Sequence, residues 1–172
     1  TEIGPGALRT ELGDPWPFGG HAIQRFGLGD DHLTVAIEVH AAEEGHAMPA
    51  MAGWHPWFLR DLGVGGAVEL DVAGGQAYAV GDDGIPTGEF VPPPPQPWDL
   101  CLTGLEADPV LRWPGALEVT VSSSFDHWVV FTEPEHAVCV EPQSGAPNDL
   151  NRAPQIVEPG RPLVGTMTIA WR

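Results

Sequence analysis

Three runs, ALEVTVSS (116–123), HWVVFTE (127–133) and HAVCVEP (136–142), follow one another with almost nothing between them, and they decide how this chain folds. Each is short, rich in Val, Thr and aromatic residues, and bounded by polar or proline-containing turns. Their alternation puts successive side chains on opposite faces, the period of a strand and not of a helix. The same pattern closes the chain in LVGTMTIAW (163–171) and opens it in AIQRFGL (22–28) and LTVAIEVHA (33–41), with GDD (29–31) between the last two as hairpin-turn chemistry. AVELDVA (67–73) and AYAV (77–80) read as a second pair around GGQ. No segment repeats apolar residues at three- and four-residue intervals for long enough to make a three-turn helix. The expected fold is all-β, an antiparallel sandwich forming one domain over residues 1–172, long enough to bury a core.

FVPPPPQPWDLCLTGL (90–105) is the exception. Consecutive prolines cannot donate to a ladder, so this stretch is expected to be an extended surface crossing that delivers Trp98 and Asp99 into the fold.

Hydrophobic residues make up 42% of the chain, enough to exclude disorder despite 22 Gly and 19 Pro, which punctuate the apolar runs. Asp and Glu total 24 against 7 basic residues, all of them Arg. A net charge of -17 repels phosphate backbones and anionic lipid, so neither nucleic acid nor membrane is an expected partner. No apolar run reaches the roughly 20 residues of a membrane span, and no signal-peptide pattern opens the chain. Cys101 and Cys139 read as free buried thiols of a reducing compartment, hence a cytoplasmic location. Because Thr stands first, the N-terminus is expected to be processed or preceded by further chain.

Chemistry concentrates in two places. One is MPAMAGWHPWF (48–58), with His55 between Trp54 and Trp57 and Arg60 close by; the other is VCVEPQSGAPNDLN (138–151), where a strand ends in Glu-Pro-Gln. Alternation puts Cys139 and Glu141 on one face and Val138 and Val140 on the other. If the Cys139 face is the core, Glu141 stands at the mouth of an apolar surface, where burial raises a carboxylate pKa and suits it to general acid/base work. A packed structural histidine and a strand-end surface carboxylate are the plainer readings of the same residues. Spacing alone does not bring them together.

GWHPWF (53–58), PWDLCLTGL (97–105) and VEPQSGAPNDLN (140–151), in this order and with WPF at 16–18 ahead of them, resemble the aldose 1-epimerase family, the galactose mutarotase-like proteins. The resemblance implies a large antiparallel β-sandwich with a sugar cleft on one sheet face. It implies His55 as general acid to the ring oxygen, Glu141 as general base to the anomeric hydroxyl, and Asp99 as a ligand of sugar hydroxyls. No metal and no cofactor are expected. Trp54, Trp57 and Trp98 are candidate sugar platforms, or in part core; Gln143 and Arg60 are further candidate contacts, Arg60 to a hydroxyl or a phosphate. The expected function is interconversion of the α and β anomers of a free aldohexose, and the alternative is a non-catalytic carbohydrate-binding module of the same fold.

Family members carry further strands ahead of WPF with an arginine and a second histidine that hold the sugar. Here TEIGPGALRTELGD contains no His, so the chain reads as N-terminally truncated or incomplete at its site. The missing strands would leave an open sheet edge, favouring a homodimer or pairing with the absent segment. His32, His40 and His46 read as solvated, and His127 and His136 show no ligand-like spacing for a metal.

Overall fold

The computed structural model describes residues 3–14 and 16–172, with side chains from Gly6 onward. Thr1 and Glu2, on which the expectation about the N-terminus bears, lie outside these residues. The described chain is built almost wholly of strands: β1 (Ile3–Glu11), β2 (His21–Leu28), β3 (His32–His40), β4 (Met48–Ala50), β5 (Trp57–Leu59), β6 (Glu69–Asp71), β7 (Gly74–Val80) and β8 (Pro86–Val91) in its first half. Then come β9 (Asp99–Leu105), β10 (Val110–Trp113), β11 (Leu117–Ser123), β12 (His127–Phe131), β13 (Ala137–Gln143), a single helical turn α1 (Asp149–Arg152), β14 (Gln155–Val157) and β15 (Leu163–Trp171). The all-β antiparallel fold expected from the alternation is the one observed. Among the described residues no helix is long and apolar enough to cross a membrane.

A seven-stranded sheet, β1-β2-β3-β15-β11-β10-β6, packs against a six-stranded sheet, β5-β13-β12-β9-β7-β8, and β14 pairs with β4 in a two-stranded ribbon. The core lies between the large sheets. Val35, Leu111, Trp113, Val119, Val121 and Met167 from one interlock with Ala77, Leu102, Trp128, Val130, Val138 and Val140 from the other. A second cluster, with Met48, Ala50, Phe125, Val157 and Leu163, seats the ribbon against the end of the seven-stranded sheet. Both cysteines are free and buried.

Two expectations need correction, and one condition is not met. The second strand pair does not form: β6 pairs with β10 in one sheet, while β7 pairs with β8 and β9 in the other. Gly74 and Gly75, at φ of 71° and 87°, take the chain from one sheet to the next through backbone conformations that other residues rarely adopt. The surface crossing covers less of 90–105 than expected, because Asp99–Leu105 is an interior strand between β12 and β7. Its burial on both sheet faces outweighs the proline run that precedes it. Finally, the core face of β13 is that of Val138 and Val140. Cys139 and Glu141 share the opposite face and are buried by what lies over it.

Candidate functional site

That opposite face of the six-stranded sheet is ordered by strand register. Directly paired residues share a face, so Trp57, Cys139, Phe131 and Asp99 form one row across β5, β13, β12 and β9. Glu141, Val129 and Cys101 form the next, and Gln143, His127, Thr103 and Gln76 the third.

His55 enters this grid from the segment leading into β5. Gly53 bridges to Gln143, and Trp57 pairs with Cys139, so the same register places residue 55 opposite residue 141. The local sequence makes this possible. A Cβ on Gly53 would come within 2.9 Å of both the Gln143 Cγ and the Pro142 carbonyl oxygen, so only glycine lets the segment lie against β13. Pro56 has no N–H to continue the ladder. Flanking bonds hold the segment: Trp54 N donates to Pro142 O at 3.1 Å and Ser144 N to Ala52 O at 2.8 Å, and Ala52 N donates to Ser144 Oγ at 3.0 Å.

His55 Nδ1 lies 3.2 Å from Glu141 Oε1; the imidazole side chain is 57% exposed and the carboxylate side chain 6%. Burial pushes the Glu141 pKa up and Asp99 adds to the rise, while His55, Gln143 and Cys139 favour the ionised form without overcoming it. A pocket of about 300 Å³ opens on the pair, lined by Met51, Ala52, Gly53, Trp54, His55, Glu141 and Gln143. A larger cavity, about 600 Å³, shares Met51, Ala52 and Gly53 with it, and among the described residues Glu11 is its one titratable lining residue. The chemistry therefore belongs to the smaller one.

The other sequence candidates fall into three groups. Gln143 lines the pocket and hydrogen-bonds Glu141. Asp99 is exposed at the start of β9 and acts on Glu141 through its charge. Trp54 lines the pocket while packing 5.4 Å, centroid to centroid, from Phe125. Trp57 stands beside the pocket, stacked on His55. Trp98 and Arg60 are engaged elsewhere. The Trp98 indole N–H donates to Pro94 O at 2.6 Å and its ring packs on the inter-sheet core. Arg60 donates from Nε to Pro134 O at 2.8 Å and from Nη2 to Thr132 O, clamping the β12–β13 turn.

Residues without a sequence signal complete the face. His127 lies beside Gln143 in the register, with Nε2 3.0 Å from Tyr78 Oη and Nδ1 2.9 Å from Asp126 Oδ1. The segment after β13 returns across the sheet, where Arg152 donates to Pro86 O on the far edge strand. Only ladder register could have found His127. Among the described residues, His55, Cys139 and Glu141 are the one grouping of three donor atoms, all within 4.8 Å of one another. Burial, then the charge of Glu141, pushes the Cys139 thiol up to about 12, so it meets the carboxylate as a neutral hydrogen-bond partner.

The model of the aldose 1-epimerase family matches residues 7–145, which contain both His55 and Glu141. The chain belongs to the aldose 1-epimerase family. Solved structures of this fold include a candidate aldose 1-epimerase of Escherichia coli K12, at 18% identity and a TM-score of 0.80 over 98% of this chain and 65% of that one. A galactose mutarotase-like protein of Clostridium acetobutylicum matches at 12% and 0.79 over 98% and 62%, and a protein of Synechocystis sp. PCC 6803 at 21% and 0.76 over 97% and 61%. The epimerase-family chain thus spans 61–65% of the length of these three structures. No curated protein matches its sequence.

Proposed function

We propose that this chain interconverts the α and β anomers of a free aldohexose, with His55 as acid and Glu141 as base. The observation that carries the reading is the 3.2 Å contact between an exposed imidazole and a desolvated carboxylate at the floor of an open pocket. Glu141 takes the proton of the C1 hydroxyl while the bond from C1 to the ring oxygen breaks. His55 supplies a proton to that oxygen, giving the open-chain aldehyde. Rotation about C1–C2 and the reverse transfers close the ring on the other face. Both oxygens are bonded to C1, so acid and base must be near neighbours, as they are here. With Nδ1 turned to Glu141, Nε2 is the ring nitrogen left for a substrate oxygen.

An unphosphorylated substrate is supported by the state of the arginines. None is among the described residues lining the pocket; Arg60 and Arg152, the two nearest in sequence to its segments, are held on backbone carbonyls. The second reading is a module that binds sugar in this pocket without turning it over, which the same lining residues allow. Polarimetry of freshly dissolved galactose and glucose separates the two. Accelerated mutarotation that is lost in His55→Asn, with the variant still folded, supports the enzyme. Sugar binding with no acceleration selects the module.

A further inference from the structure

Two histidine rings and a phenylalanine ring pack on Trp57. The His55 imidazole stacks on one side of it, centroids 5.4 Å apart and planes 9° from parallel. The His136 imidazole stacks with the same 9° tilt at 5.8 Å. The Phe131 ring meets Trp57 edge-on at 6.1 Å and 82°. A pyranose that stacked here through its C–H face would have to share the indole with the two imidazoles and Phe131. Trp57 is nevertheless 49% exposed, so packing alone does not account for a tryptophan at this position. Its neighbour does: His55 is the exposed half of the acid/base pair, in contact with Glu141 through Nδ1.

We propose that Trp57, backed by His136, is a positioning residue that fixes the plane of the His55 imidazole against Glu141. The stack is written into the register. Residues 55 and 57 share a strand face, so their rings lie side by side. His136 sits in the turn between β12 and β13, and its ring also stacks on the indole. The groups that face His55 are therefore Glu141 and Cys139 from β13 and Trp57 from β5, with His136 one ring further out. Aromatic stacking constrains a ring's rotation about its side-chain torsions, and an unrestrained exposed imidazole would sample orientations that miss the substrate oxygen.

This inference rests on the acid/base reading of His55, and the test separates the two. His136 is exposed on a turn, so His136→Ala should leave the fold intact. Two readouts are taken on the wild type, His136→Ala, His136→Phe and Trp57→Leu. The first, independent of any substrate, is the ring-current displacement of the His55 ring protons in the NMR spectrum. It should shrink in His136→Ala and return in His136→Phe. The second is mutarotation kinetics: Trp57→Leu should lower kcat by about 10- to 100-fold with KM changed less than about twofold, the pattern of lost alignment. His136→Ala should shift kcat in the same direction by less, and His136→Phe should restore it. A raised KM at unchanged kcat in Trp57→Leu would make Trp57 a sugar platform and overturn the proposal, as would unchanged His55 signals in His136→Ala. If no variant, wild type included, accelerates mutarotation while the NMR displacement follows the stack, the positioning of His55 stands and the enzyme reading falls.

Discussion

Replacing Glu141 by Gln should stabilise this protein while silencing it, and the gain should grow with pH. The side chain is 6% exposed, and desolvation outweighs the help it receives from His55, Gln143 and Cys139. The folded pKa is therefore above the unfolded value of about 4.3. A group raised in this way holds its proton more tightly when the chain is folded. That contribution is complete below the unfolded value and is lost as the pH rises through the folded one. The wild type should thus lose ground to the neutral, isosteric amide from about pH 4.3 upward, at a slope of up to about 1.4 kcal/mol per pH unit for one proton, levelling once Glu141 is ionised in the fold. For a chain of this size each kcal/mol moves Tm by about 2–4 °C. Thermal unfolding of both proteins by circular dichroism across this range gives the difference directly, and the other carboxylates cancel in it. A difference that is flat with pH, or that favours the wild type as pH rises, would refute the reasoning, because pairing with His55 would then outweigh burial. In the same preparation, mutarotation should fall by about 10²- to 10⁴-fold, the usual contribution of a positioned acid or base.

Three further outcomes follow from the same geometry. Since the base must be ionised to accept a proton, the acid limb of kcat/KM for the wild type should lie above the ordinary glutamate range; a limb at the value of an exposed glutamate would contradict the burial of Glu141. Arg60→Ala removes two charge-assisted bonds to the β12–β13 turn, so chemical denaturation should show a loss of about 1–3 kcal/mol with KM for sugar unchanged; a KM effect without a stability effect would return Arg60 to the substrate. Inorganic phosphate and sugar phosphates should not compete with free sugar, because no arginine is among the described residues lining the His55–Glu141 pocket and the chain carries a net charge of -17. Competition in the mutarotation assay would contradict this.

Alternation by itself determined the class of the fold, the order of most strands and the face shared by Cys139 and Glu141, because a strand's period is local and needs no partner to be read. The same locality explains what it missed. β6 and β7 are adjacent in sequence yet belong to different sheets, and β9 is an interior strand directly after a proline run; in each case strand pairing outweighed a local signal. The ordered motifs named His55 and Glu141 as a pair, but their meeting depends on a ladder that runs from Gly53 opposite Gln143 to Trp57 opposite Cys139 and is interrupted at Pro56. Which face of β13 is core was settled only by the seven-stranded sheet packing on Val138 and Val140, which leaves Glu141 on the side where a pocket opens. The tryptophans show the limit most plainly. Three looked alike as sugar platforms, and the tertiary structure separated them by what packs on each ring: Phe125 on Trp54 at the pocket, the inter-sheet core on Trp98 under the proline loop, and two histidines on Trp57. Sequence supplies the side chains, but the burial and orientation that set their chemistry come from neighbours distant along the chain.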